Sequence, residues 1–173
     1  ILVNFMIDEI MPLETPQNDY KVLDPACGSG VFLVGAFKRH IQWWMIRNKF
    51  KKPDIKTLKD IIKNNIFGID EKKEAVELAK FSLSLALCDV LSPEVIWEKL
   101  HFDDLSKSGN LITKDFFEIL SDKSYHNIFD LVIGNPPFVS ELTTKAARKI
   151  DEQSLINNPN RPKLPDKQLA FLF

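Results

Sequence analysis

Lys21-Val22-Leu23-Asp24-Pro25-Ala26-Cys27-Gly28-Ser29-Gly30-Val31-Phe32-Leu33 is the stretch whose reading decides the fold. Val22 and Leu23 are apolar and β-prone, Asp24-Pro25 cannot continue a regular ladder, and a long apolar helical pattern opens at Val31. The order is strand, tight turn, helix. Gly28 and Gly30 give the turn backbone freedom and remove side chains where a ligand must come close. The free amide groups at the start of the following helix favour a polar or anionic group there. The turn is built to hold something.

What is missing narrows the ligand. A dinucleotide fingerprint needs a third glycine where this chain has Leu33, and a P-loop needs Gly-Lys-Ser/Thr, which occurs nowhere in the sequence. A pyrophosphate or triphosphate is therefore disfavoured. The 173 residues, 45% hydrophobic and 27% charged, suit one globular domain with a real core. The sequence holds no apolar run of about 18 residues, and Asn4, Asp8 and Glu9 interrupt the first eleven, so neither a membrane span nor a signal peptide is expected. The expected setting is the cytoplasm. Two cysteines, Cys27 and Cys88, argue against a disulfide framework and against a thiolate metal site. Cys27 is either a nucleophile or, on the plainer reading, a small residue fitted into a crowded turn. A net charge of −1 gives no electrostatic case for nucleic acid by itself. The basic cluster Arg47, Lys49, Lys51 and Lys52 reads chiefly as a solvated helix end, where cations are favourable.

In chain order, apolar spacing predicts a helix over 1–11, a polar loop over 12–19 and a first strand over Tyr20–Leu23. Val31 to Phe50 is apolar on almost every side, which predicts a helix covered by more than one neighbour and stopped by Pro53. A short helix over 54–63 precedes a buried strand, Asn65 to Asp70, and a helix over 71–90 follows it. Pro93 to Leu100 reads as another short helix, Leu100-His101-Phe102 as a third strand leading into Asp103-Asp104, and Ser106 to Asp115 as loop. Phe116 to Leu120 reads as a helical turn, and Phe129 to Ile133 as a fourth strand running into Gly134-Asn135-Pro136-Pro137-Phe138. Alternating strands and helices predict an α/β fold with a mostly parallel sheet, and ligands at the carboxyl ends of the strands.

All four predicted strands end in candidate chemistry. Asp is common after strands as a cap or turn former, so each end alone has a plain explanation. Together they describe a site. Asp70, one strand over from the glycine turn, is placed to accept two ribose hydroxyls, which needs an acceptor-only group. Asp103 is then placed to accept from the exocyclic amine of an adenine ring, so a nucleoside without phosphates fits. Two prolines at the end of the fourth strand remove two donors and fix the backbone, leaving carbonyls that nothing in the strand satisfies. Such a rim suits an NH₂ group: the Asn135 side-chain oxygen and the Pro136 carbonyl would accept its two hydrogens, and Phe138 would stack on a planar base.

Asp24-Pro25-Ala26-Cys27-Gly28-Ser29-Gly30 with Phe32-Leu33, then Gly68-Ile69-Asp70, then Phe129 to Phe138, resemble the S-adenosylmethionine-dependent N6-adenine DNA methyltransferases of restriction-modification systems. The resemblance runs over roughly residues 1 to 139. It implies a Rossmann-like methyltransferase fold with helices on both faces of the sheet, here truncated after about four strands, the remaining strands and a target-recognition domain being expected outside residues 1–173. It implies a cofactor site from Asp24 through Gly30 with Asp70, and with Asp103 or Asp104 against the cofactor adenine, Asp103 having the family's Asp-x-Leu spacing. A flipped-out adenine would lie at Asn135, Pro136, Pro137 and Phe138. The implied partners are DNA and, in such systems, restriction or specificity subunits or a fused nuclease. Thr15-Pro16 follows the first predicted helix, whereas the family's Thr-Pro motif precedes it; residues 166–173 resemble the start of the family's next motif. The competing readings are methyl transfer to an amino group of RNA or to a protein glutamine amide, and a non-catalytic S-adenosylmethionine-binding module.

Overall fold

The computed structural model describes residues 2–100, 109–120, 125, 128–136, 148 and 152. Their elements, in chain order, are α1 (Leu2–Ile10), β1 (Val22–Asp24), α2 (Val31–Arg47), α3 (Ile55–Asn65), β2 (Ile66–Asp70), α4 (Lys73–Cys88), α5 (Pro93–Lys99), β3 (Leu111–Thr113), α6 (Phe116–Leu120) and β4 (Leu131–Val132). The four strands form one all-parallel sheet in the order β3-β2-β1-β4. Parallel strands need crossovers, and the helices supply them, which gives an α/β, Rossmann-like arrangement.

Side chains alternate across the sheet with period two. Val22, Ile66 and Leu111 join the large core formed with Phe32, Leu33, Phe37, Leu58, Ile62, Val76, Ala79 and Leu83 of α2, α3 and α4. Leu23 and Ile69 face the other way, onto Ile119 of α6 with Phe67, Ile112 and Phe129 around them. Helices therefore cover both faces. α2 is the hub, as its all-round apolarity predicts: α1, α3 and α4 all pack on it. Gly35 lets α1 approach, since a Cβ there would lie 3.2 Å from Val3 and 3.3 Å from Ile7. Gly68 does the same for the sheet, where a Cβ would come within 2.6 Å of Leu33 and 2.9 Å of Leu111. Among the described residues no helix is long and apolar enough to cross a membrane.

Two sequence expectations are corrected. α2 ends at Arg47, before Pro53, because the Asn48 side-chain amide donates to the Trp44 carbonyl (2.8 Å) and Lys49 and Phe50 turn left-handed (φ 54° and 59°). The third strand is Leu111–Thr113, in the segment expected to be loop; Leu100 instead closes α5 with a backbone bond to Ile96, and residues 101–108 lie outside the described residues. What selects 111–113 is Asn110, which is 6% exposed. Its side-chain amide donates to the carbonyls of Ile62 (3.0 Å) and Ile66 (3.1 Å) and also to that of Lys63, and its own carbonyl accepts the Gly68 N–H (2.9 Å). A buried amide so engaged fixes where pairing with β2 begins.

Candidate active site

The carboxyl ends of β1, β2, β3 and β4 surround a cavity of about 400 Å³ lined by Pro25, Ala26 and Gly28, by Asp70, Lys72 and Ala75, by Lys114, Asp115 and Phe116, and by Asn135. Each group comes from a different strand end, so the sheet itself brings them together.

The turn after β1 is held from both sides. The Cys27 N–H donates to the Ile69 carbonyl (2.9 Å), the Gly30 N–H to the Cys27 carbonyl (2.7 Å), and the Gly28 N–H to Asp70 Oδ2 (3.0 Å). Gly28 and Gly30 are both left-handed, at φ 50° and 79°. They differ in surroundings. A Cβ on Gly28 would meet nothing within 4 Å, while one on Gly30 would press on Ala79 at 3.0 Å. Gly28 thus faces open space and Gly30 faces the core. Ser29 lies away from the cavity, beside Val31, Lys38 and Leu85 in a groove between α2 and α4.

Cys27 is 4% exposed, and burial first, then the charges of Asp24 and Asp70, push its thiol up to about 12. A thiol so firmly protonated is not a nucleophile. Of the two readings left open by the sequence, the small packed residue stands. Asp24 lies beneath the cavity at 1% exposure, with Oδ1 accepting the Ala26 N–H (3.1 Å). Burial, reinforced by the Asp70 charge and opposed by that N–H, raises its carboxyl to about 7.

Asp70 reaches the cavity with one oxygen on Gly28 and the other on the Lys72 N–H (2.9 Å). A carboxylate has about four lone-pair positions, so two acceptor positions remain for a ligand. Asp103 and Asp104 lie outside the described residues. The acid that follows β3 into the cavity is Asp115, whose Oδ1 accepts the Phe117 N–H (2.9 Å) and opens α6. Sequence reasoning missed Asp115, Phe116, Lys72 and Lys114; the run Leu111-Ile112-Thr113-Lys114-Asp115 carried a strand-then-acid signal, hidden by the polar residues before it. Asn135 is exposed on the cavity wall past β4, and Pro136 beside it is half-buried; Pro137 and Phe138 lie outside the described residues.

Residues 64–173 match the model of the Eco57I restriction-modification methylase family. The chain belongs to that family. It is similar to the type II methyltransferase M.BstVI of Geobacillus stearothermophilus, 30% identical over 143 residues, covering 79% of this chain and 23% of that protein. It is also similar to the adenine-specific methyltransferase BrxX of Escherichia coli O9:H4 (strain HS), 36% identical over 81 residues, 47% of this chain and 6% of that one. To the type II restriction enzyme and methyltransferase RM.Eco57I of Escherichia coli it is 27% identical over 145 residues, 69% of this chain and 14% of that one. The chain spans less than a quarter of the length of each of these curated relatives. No solved structure matches the chain.

Proposed function

We propose that the protein transfers a methyl group from S-adenosylmethionine to the N6 amino group of an adenine flipped out of DNA, as part of a restriction-modification or similar system. The observation that carries this reading is that Gly28, Asp70 and Asn135, from three separate strand ends, line one cavity. Membership of a methylase family and the adenine-specific name of one relative support it.

The residues present fit the cofactor. About 400 Å³ falls in the range of small-molecule sites. Gly28 leaves open space, Asp70 keeps two acceptor positions for ribose hydroxyls, and Asp115 offers a further carboxyl group on the cavity wall beside the adenine-end role suggested for Asp103. When bound, S-adenosylmethionine supplies an electrophilic methyl group on its sulfonium. The chain's own residues then have to make the target nitrogen nucleophilic. An adenine N6 lone pair is delocalised into the ring, and acceptors at the Asn135 side chain and the Pro136 carbonyl favour the pyramidal nitrogen of the transition state over the planar ground state. Such a base cannot reach the cavity from inside a duplex, so extrusion is required, with Phe138 as the stacking face.

Incubating the full-length protein with labelled S-adenosylmethionine and duplex DNA tests the proposal. Label is expected in adenine after digestion to nucleosides. Label in cytosine alone, or label in RNA or protein but not DNA when these are offered in parallel incubations, would overturn it.

A further inference from the structure

Asp24 and Gly134 meet where β1 and β4 end. The Ile133 N–H donates to the Leu23 carbonyl (2.9 Å), which carries residue 134 over the carboxyl group of residue 24. A Cβ on Gly134 would overlap Asp24 Oδ1, the same oxygen that the Ala26 N–H fixes, and would lie 3.2 Å from Asp24 Cγ and 3.4 Å from Pro25 Cδ. Gly134 is not among the left-handed glycines, so space and not backbone freedom requires it. Asp24 cannot swing away cheaply, because it is 1% exposed and packed under the turn.

β4 is joined to β1 through only two residue pairs, Val22 with Leu131 and Leu23 with Val132, and the next residues along it are Gly134 and Asn135. Resting on the proposed reaction, we infer that Asp24 is a positioning residue: its buried carboxyl, pressed against the bare backbone of Gly134, sets the distance from the glycine turn to Asn135. In-line transfer tolerates little error in that distance, since a misplacement of about 1 Å can cost about 10²-fold in rate.

The test is a double-mutant cycle in the full-length protein. Gly134→Ala is expected to lower kcat at saturating cofactor by about 10²-fold while S-adenosylhomocysteine binding stays within about threefold. Made on an Asp24→Ala background, where the obstructing oxygen is gone, the same change should cost less than about fivefold. Equal losses in both backgrounds, or a fall in binding that matches the fall in kcat, would overturn the inference. Should Gly134→Ala be too unstable to assay, melting temperatures decide: a double variant that melts above Gly134→Ala supports the contact, and one that melts at or below it refutes the contact. A wild-type protein that transfers no methyl group defeats the proposed reaction instead, and the melting cycle still reads the contact.

Discussion

The two sides of β1 hold the cavity by different means. Towards β2, the glycine turn is tied to its neighbour through Cys27 N–H to Ile69 and Gly28 N–H to Asp70, and β2 is itself locked to β3 through Asn110. Towards β4, pairing covers two residues, and Asn135 is exposed beyond them. The first side is a preformed receptor whose polar groups are already oriented by backbone. The second places one acceptor past the last strand of the described sheet, held to β1 by the Leu131 and Ile133 N–H groups on the Lys21 and Leu23 carbonyls and by Asp24 packed under Gly134. The first side is therefore held by several polar bonds around the turn, the second by a short ladder and one steric contact.

If that contrast is right, damage on the two sides has different signatures. The largest effect is expected from Asn135→Ala, which should lower methyl transfer by about 10²- to 10³-fold, the usual cost of losing one such preorganised contact, with S-adenosylhomocysteine affinity within about threefold. Single-turnover kinetics beside a binding titration checks both numbers; activity within about threefold of wild type would remove Asn135 from the chemistry. Asp70→Ala should do the reverse. S-adenosylhomocysteine at 100 times its dissociation constant stabilises a protein by about 2.7 kcal/mol through mass action. That rise in melting temperature should largely vanish in Asp70→Ala, and a variant that keeps it would refute the ribose assignment.

A smaller effect tests what stiffens the receptor side. Asn110→Ala strands the carbonyls of Ile62 and Ile66 inside the fold and should cost about 1–3 kcal/mol in urea unfolding, without touching any residue of the cavity wall. A loss below about 0.5 kcal/mol would mean that β3 is held by its ladder with β2 and its apolar packing, without the Asn110 side chain.

The smallest net effect is the pH dependence of the wild-type protein, because two buried groups oppose each other. His40 is 2% exposed, its Nε2 has no partner among the described residues, and burial, then the Arg47 charge, lower its pKa from 6.5 to about 4. Between those values the unfolded chain binds a proton that the native state does not, so His40 makes stability rise with pH. Asp24, raised from 3.8 to about 7, has the opposite sign: the native state keeps a proton that the unfolded chain has lost, and stability falls as pH rises through that window. Each slope is at most about 1.4 kcal/mol per pH unit, so the two offset over roughly pH 4 to 6.5. Relative to wild type, Asp24→Asn should therefore show stability climbing with pH there, and His40→Phe should show it declining. Urea midpoints across that range read the slopes, and variants that track the wild-type profile would contradict both assignments.

The same contrast marks what could be read from sequence. The glycine turn was legible because Asp24-Pro25 and two close glycines leave few backbone solutions, and Asp70 because an apolar run ends on it. The parallel sheet followed from strand and helix alternation, and helices on both its faces from the family resemblance. The third strand was not legible. Leu111-Ile112-Thr113 is three residues long, and it becomes a strand through a buried amide reaching back 44 to 48 positions, a contact no local pattern encodes. With the strand went its acid, so Asp115 on the cavity wall was not singled out. The end of α2 was misjudged for a similar reason: Pro53 looked like the stop, but the Asn48 side chain ends the helix five residues before the proline.

In the proposed reaction, Asn135 presents an adenine amino group to a methyl donor held over the glycine turn. Its most direct measurement is mass spectrometry of nucleosides from the DNA of cells that express the full-length protein and lack other adenine methylation. The account predicts N6-methyldeoxyadenosine with the wild-type protein and at least about 10²-fold less with Asn135→Ala at equal expression. Methylation of cytosine alone, or N6-methyldeoxyadenosine at equal levels with both proteins, would contradict it.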